Sequence, residues 1–212
     1  SLNGDLQESY NAALLNGTSL KIPIKSWESL INYLPNDSGG NFSVAISKNY
    51  TRLATLFAVF DQTPPDSNAG KTKLVNSNYF PSASSEDFTY HLSMGSHRVP
   101  DNDVRGTSEA WYRLQGALGL YNSLAHATSV DEDSYRTDTF CLGIDVEKLP
   151  MIMSSGENLS NTGTILLNVK GMGTTPQGAT ADPATNVPRR CTIFMHHERV
   201  ISIQDTVVDV FE

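Results

Sequence analysis

The stretch Cys191–Phe211, CTIFMHHERVISIQDTVVDVF, decides the fold. Thr192, Phe194, Val200, Ile201, Ile203, Val207, Val208, Val210 and Phe211 crowd β-branched and aromatic side chains together without a helical period, which reads as strand. Val207, Asp209 and Phe211 alternate with Val208 and Val210, so this end of the chain is expected to bury both faces. One polar break, His196–Glu198, interrupts the stretch and is expected to be a hairpin tip. A segment this apolar must be inserted in a sheet, because a free tail would leave it in water. The upstream chain then has to supply its partner strands.

Outward from there the strand pattern recurs. Leu20–Trp27 alternates apolar and polar side chains and carries Pro23, which suits an edge strand or a strand start. Phe42–Ser47 alternates again. Arg52–Phe60 is a near-continuous apolar run with both faces expected to be covered, and the link Lys48–Thr51 is short enough for a hairpin. Phe88–Gly95, Thr139–Val146 and Thr164–Lys170 are further strands, and Gly95–Pro100 is expected to leave the sheet. The polar stretch 61–87 reads as a long loop that either binds or contacts something or is a plain surface excursion, and 171–190 as a second long loop without core residues.

Two helices break the pattern. Asp5 and Glu8 have capping-box spacing, and Leu6, Tyr10, Ala13 and Leu14 share one face of a short helix that Gly17 ends. Gly106–Ala125 is the longer one. Thr107 or Ser108 can cap it, Glu109 suits the dipole of its first turn, and Trp111, Leu114, Leu118 and Tyr121 form an apolar stripe. Gly116 and Gly119 weaken it by about 1 kcal/mol each relative to Ala, so packing must hold it. We therefore expect an all-β, jelly-roll β-sandwich with long loops and one inserted helix; an immunoglobulin domain is about half as long. Residues 1–19 are expected to be a helical lead-in and 20–212 a single jelly-roll domain.

Composition agrees. Of 212 residues only 18% are charged, while 15 Gly and 10 Pro supply turns, which favours β over helical architecture. The net charge of −8 repels phosphate backbones, so direct nucleic-acid binding is not expected. No apolar run approaches the roughly 18 residues of a membrane span. Cys141 and Cys191 sit inside apolar strand patterns and read as buried thiols.

The search for chemistry finds little. His196 and His197 are neighbours in a strand and point to opposite faces, so they do not chelate one ion. His196 and Glu198 share a face, but two ligands fall short of a zinc site, and nothing in the spacing brings His91 or His97 to complete it. Asp131, Glu132, Asp133 and Asp138 read as a solvated, acidic loop without the calcium-loop pattern. No nucleophile elbow, phosphate loop or C-x-x-C pair is present, so neither enzymatic activity nor a cofactor is expected.

Four stretches, taken together, resemble the major capsid proteins of eukaryotic DNA viruses with double jelly-roll capsids, of polinton-like virus, virophage and adintovirus type. Thr51–Phe60 resembles their "tRL-x-x-vfvtf" strand, and Gly95–Pro100 followed by Glu109–Leu114 resembles their "GS-x-R-x-P … EAYxxL" loop and helix. Phe140–Lys148 with Asn161–Gly163 is similar to "F-x-x-GiDlEK … NTr-Gd", and Arg199–Glu212 to the "D-x-iLeIrD-x-G-V-x-V-x-D" ending. Thr162-Gly163 replaces the family's Thr-Arg, and Thr206-Val207 replaces its Gly-Val turn.

The resemblance implies the C-terminal jelly roll of a chain about twice as long. It implies a virion shell protein assembling as a homotrimer, or as a pseudo-hexamer with a second jelly roll, beside penton and minor capsid proteins. On that reading Glu109, Trp111, Tyr112 and Arg113 of the helix are the expected subunit contacts. The alternatives are a single jelly-roll penton or minor capsid protein, a carbohydrate-binding sandwich and a cupin-like metalloenzyme. The sugar-binding alternative calls for exposed aromatics, whereas Trp27 and Trp111 both read as core-directed.

Overall fold

The computed structural model describes residues 4–35, 40–48, 50, 52–61, 88–121, 131–137, 139–147, 164–172, 188, 190–204 and 207–211. In chain order the elements are α1 (Gly4–Leu15), β1 (Leu20–Tyr33), β2 (Phe42–Ile46), β3 (Leu53–Asp61), β4 (Thr89–Met94), β5 (His97–Arg105) and α2 (Gly106–Ala117). They are followed by α3 (Glu132–Thr137), β6 (Leu142–Asp145), β7 (Ile165–Lys170), β8 (Arg190–Gln204) and β9 (Val207–Phe211).

The strands pair from the ends of the chain inward. β1 lies antiparallel to β8, β2 to β7, β3 to β6 and β4 to β5. This long antiparallel ribbon is rolled so that β8 also pairs β3 and β7 also pairs β4. Two sheets result, in the orders β1-β8-β3-β6 and β2-β7-β4-β5, with β9 added to the end of β8. That winding is the jelly roll, as the sequence predicts. The terminal stretch is indeed its organising element, since β8 runs between β1 and β3.

Side-chain alternation builds the core. Phe42, Val44 and Ile46 of β2, Tyr90, Leu92 and Met94 of β4, and Ile165, Leu167 and Val169 of β7 all point inward. They meet Leu56, Ala58 and Phe60 of β3 and Cys191, Ile193 and Met195 of β8 across the sandwich. Each large apolar side chain buried in this way stabilises the fold by about 1.5–3 kcal/mol.

Several local expectations are corrected. The link after β2 does not close a hairpin, because β2 and β3 belong to different sheets and the chain crosses between them. Gly95–Pro100 does not leave the sheet. Gly95 takes a left-handed φ of 60°, which closes a tight turn between Met94 and His97, and β5 runs on to Arg105. His196–Glu198 is no hairpin tip either, for β8 passes straight through it with His197 and Glu198 buried. β8 instead pairs antiparallel with β9 further on, Gln204 standing opposite Val207. β9 has β8 as its partner, and Asp209 and Val210 are exposed, so this end does not bury both faces.

The long helix is shorter than its stripe suggests. α2 stops at Ala117, where Gly119 (φ 71°) reverses the chain and the Leu118 and Gly119 amides close on the carbonyls of Leu114 and Gly116. Leu118 and Tyr121 are consequently exposed. Residues 122–125 lie outside the described residues. Neither Thr107 nor Ser108 caps the helix; the Glu109 carboxylate turns back to accept the Arg105 amide at 3.0 Å. The acidic stretch is not a loop but the start of α3, whose Ser134 amide donates to Asp131 at 2.7 Å. Of the two long loops, 62–87, 173–187 and 189 lie outside the described residues, but Met172 is buried.

Pro23 does lie on an edge, since β1 pairs β8 alone among the described strands. α1 forms as expected, and Gly17 with φ 70° follows it.

Candidate functional site

α2 packs chiefly on β6 and also touches β5. Its left-handed Gly106 leaves β5 and donates its amide to the Phe88 carbonyl at 2.9 Å. Ala110 and Leu114 are the buried face. Leu114 lies on Gly143 of β6, where a side chain would collide with the helix. Trp111 packs at a tilt against the buried Tyr135 of α3, ring centroids 4.9 Å apart, and the Tyr135 hydroxyl donates to the Cys141 carbonyl at 3.0 Å.

The four helix residues expected to touch other subunits therefore separate. Glu109 and Arg113 form an i,i+4 ion pair at 3.4 Å on the outward side. Tyr112 is exposed and lies against Tyr121, centroids 4.6 Å apart, while the Tyr121 hydroxyl donates to the Tyr112 carbonyl. Burial pushes the Tyr121 phenol up to about 12. Trp111 instead faces the core and holds α2 to α3.

A cleft of about 480 Å³ opens beside α2, lined among others by Tyr90, Arg98, Pro100, Arg113, Tyr121 and Asp145. Its two arginines are each paired with a carboxylate outside the lining, Arg113 with Glu109 and Arg98 with Asp103. Arg98 donates to Asp103 at 2.6 Å, and His91 lies 3.0 Å from the same carboxylate. Burial, then the Arg98 charge, hold the His91 imidazole below its ordinary value. Burial holds the Asp145 carboxyl above its own. No nucleophile with a base behind it emerges among the described residues.

The histidines fall apart in the same way. His91 belongs to the β2-β7-β4-β5 sheet and His196 to the other. His196 stacks on Trp27 at 4.7 Å, whereas His197 points into the sandwich beside Tyr50 at 4.3 Å. Glu198 accepts from Arg52 at 3.3 Å. Among the described residues no group of three or more His, Cys, Asp and Glu is placed to hold a metal ion. No helix among them is long and apolar enough to cross a membrane.

One surface escaped the sequence reading. Trp27 is not core-directed: it is 59% exposed on the outer face of β1, with Phe57 of β3 at 5.8 Å. In register beside it lie Ile31 and Tyr33 of β1, Phe194 and His196 of β8, and Val59 of β3.

No protein-family model matches this chain, and no curated protein sequence does. The fold does match solved structures. A quasi-atomic model of the PBCV-1 virus capsid covers 97% of this chain, with TM-score 0.52 and 12% identity. PBCV-1 VP54, fitted into a reconstruction of the virophage Sputnik, covers 96%, with TM-score 0.53 and 9% identity. This chain covers 54% and 53% of theirs, about half their length. Two sheets wound β1-β8-β3-β6 and β2-β7-β4-β5, matched over nearly the whole chain, give it the jelly-roll fold found in these capsid structures.

Proposed function

We propose that this chain is a structural subunit of a viral capsid, working in the virion and without catalytic activity. The observation that carries the reading is the match of nearly the whole sandwich to chains of a virus capsid. A two-sheet wall with its strands paired end to end is rigid, and the net charge of −8 keeps unassembled subunits apart and off nucleic acid. Its partners are other capsid subunits: copies of itself in a trimer, or a second jelly roll in a pseudo-hexamer, with penton and minor capsid proteins around them. Tyr112 and Arg113, exposed on α2, and the half-buried Glu109 paired with Arg113 are the contacts we assign to those neighbours, with Trp111 holding the helix in place.

Because the chain spans about half the length of the solved chains it matches, a second reading is a single jelly-roll penton or minor capsid protein. Native mass by light scattering, with electron microscopy of the same sample, separates the two. Threefold particles support the major-capsid reading and fivefold particles the penton. A chain that neither forms rings nor joins shells at high concentration overturns both.

A further inference from the structure

A chain of polar side chains crosses the outer face of the sheet β2-β7-β4-β5. Ser43, Asn168 and His91 stand opposite one another on β2, β7 and β4, and Ser93 follows on β4. β5 completes the row because its register slips. Between the pairs Tyr90–Val104 and Leu92–Val99, His91 alone stands against residues 100–103. This bulge swings Asp103 back onto the imidazole, and Arg98, opposite Ser93, reaches the ring as well. Side chains of all four strands are thereby joined.

The donors and acceptors of the chain have one consistent assignment. Asn168 Nδ2 lies 3.4 Å from the Leu166 carbonyl, which only accepts, so the amide nitrogen belongs on that side. The same nitrogen donates to Ser93 Oγ and to His91 Nε2, both at 3.0 Å. Asn168 Oδ1 accepts from the Ser43 hydroxyl at 2.6 Å. An Nε2 that accepts carries no proton. The imidazole hydrogen therefore sits on Nδ1, 3.0 Å from Asp103 Oδ1, and the ring is neutral.

We propose that His91 is a proton switch for this face: a second proton, on Nε2, turns the Asn168 amide over and reverses the Ser43 hydroxyl two strands away. A protonated Nε2 would point its hydrogen at an N–H. Half a turn of the amide puts Oδ1 toward Nε2 and Ser93, and Nδ2 toward Ser43. Ser93 then donates where it accepted, and Ser43 accepts where it donated. Ser43 is exposed, so its displaced hydrogen turns to water. In acid the face shows a different donor pattern and one more positive charge, on a chain whose net charge at neutral pH is −8.

The groups facing His91 set where the switch operates. Burial of the ring, then Arg98 of β5 and Lys170 of β7, disfavour the charged form, and Asp103 of β5 favours it. β2 reaches the ring through Ser43 and Asn168. The balance holds the imidazole below its ordinary value, so the switch rests in its neutral form at pH 7 and turns over in acid. This inference stands apart from the capsid reading, because it rests on hydrogen bonds within one sheet and not on the matched structures.

Long-range proton–nitrogen NMR of the full 212-residue chain tests it, with the pH lowered from about 8 to about 5, across the histidine range. At the start His91 should show the Nδ1–H tautomer. Its midpoint should lie below 6.5, and the Asn168 amide and Ser43 resonances should move with that same midpoint. Asn168→Asp puts an acceptor where the amide donated and should raise the His91 midpoint above the parent's. Asn168→Ala should leave His91 titrating while Ser43 ceases to follow. An Nε2–H tautomer at neutral pH overturns the proposal, as does an Asn168 amide or a Ser43 that ignores the His91 titration. So does a folded Asn168→Asp whose His91 midpoint has not risen. The parent's own spectra decide the matter if either variant fails to fold.

Discussion

Gly143 lies directly beneath Leu114: a methyl group on Gly143 would stand 2.9 Å from the Leu114 Cα and 3.1 Å from the Ala117 Cβ. The glycine is there to let α2 approach β6, not to supply an unusual backbone. Gly143→Ala should destabilise the protein by about 1–3 kcal/mol, the cost of overpacking a close contact. Gly143→Val should cost more and loosen α2. Urea unfolding reads the first effect, and limited proteolysis within 106–117 reads the second. An unchanged midpoint for Gly143→Ala would mean that α2 does not sit where the structure puts it.

At the far end of the same sheet, Arg190 donates from Nε and Nη2 to the two Asp61 oxygens, both at 2.6 Å. The pair fastens β3 to β8 at the point where both strands end. Asp61 holds the Arg190 guanidinium above its ordinary value. Both side chains keep some exposure, so the coupling is expected between surface and buried pairs, about 1–2 kcal/mol. A double-mutant cycle with Asp61→Asn and Arg190→Gln measures it; a coupling near zero would reduce the pair to decoration.

These two contacts show what a sequence reveals and what it withholds. Strands β2, β4 and β7 were legible because each puts alternate apolar residues on one buried face. Their pairing was not, since a jelly roll joins β2 to β7 and β3 to β6 across long separations that no local pattern encodes. The Lys48–Thr51 link looked like a hairpin for that reason. His197 looked like a surface residue, though unbroken alternation through Cys191, Ile193 and Met195 places it inward. On the helix, the buried Leu114 was legible from its period. The aromatic face was missed because Trp27, Phe57 and Phe194 become neighbours through register alone. The available signal was in β1, where Trp27, Ile31 and Tyr33 share one phase against Ser26, Glu28 and Asn32.

Glu28 ties β1 to the crossing between the sheets. It accepts from Lys48 at 2.5 Å and from the Tyr50 hydroxyl at 2.8 Å. These bonds, the Lys48 one first, hold its carboxyl below its ordinary value of 4.5. A carboxylate lowered by folding adds stability that is fully present above its unfolded value and is lost as pH falls through the folded one. Glu28→Gln should thus cost about 1 kcal/mol at pH 7, discounted for partial exposure. Parent and variant should converge as the pH is lowered from 4.5 through the folded value. Unfolding curves from pH 7 down to pH 3 test the sign, and a gap that widens in acid contradicts it.

The two thiols should differ from ordinary cysteines in a measurable way. Burial pushes Cys141 from 9.0 up to about 12, and it moves the fully buried Cys191 in the same direction. The attacking species is the thiolate, so at pH 8 the reactive fraction of Cys141 falls by about three orders of magnitude. The Cys141 thiol lies 3.5 Å from the Leu142 carbonyl, and Cys191 sits among the core side chains. Alkylation of the native protein should therefore be slow at Cys141 and limited by opening of the sheet at Cys191. Both should react at once in denaturant. Because Cys191 faces Phe60 and Asn32 in the ladder, its labelling rate reports the opening of β8 from β1 and β3 together. Rapid native labelling of Cys191 would show that the strand on which the whole fold is wound is not held as the register requires.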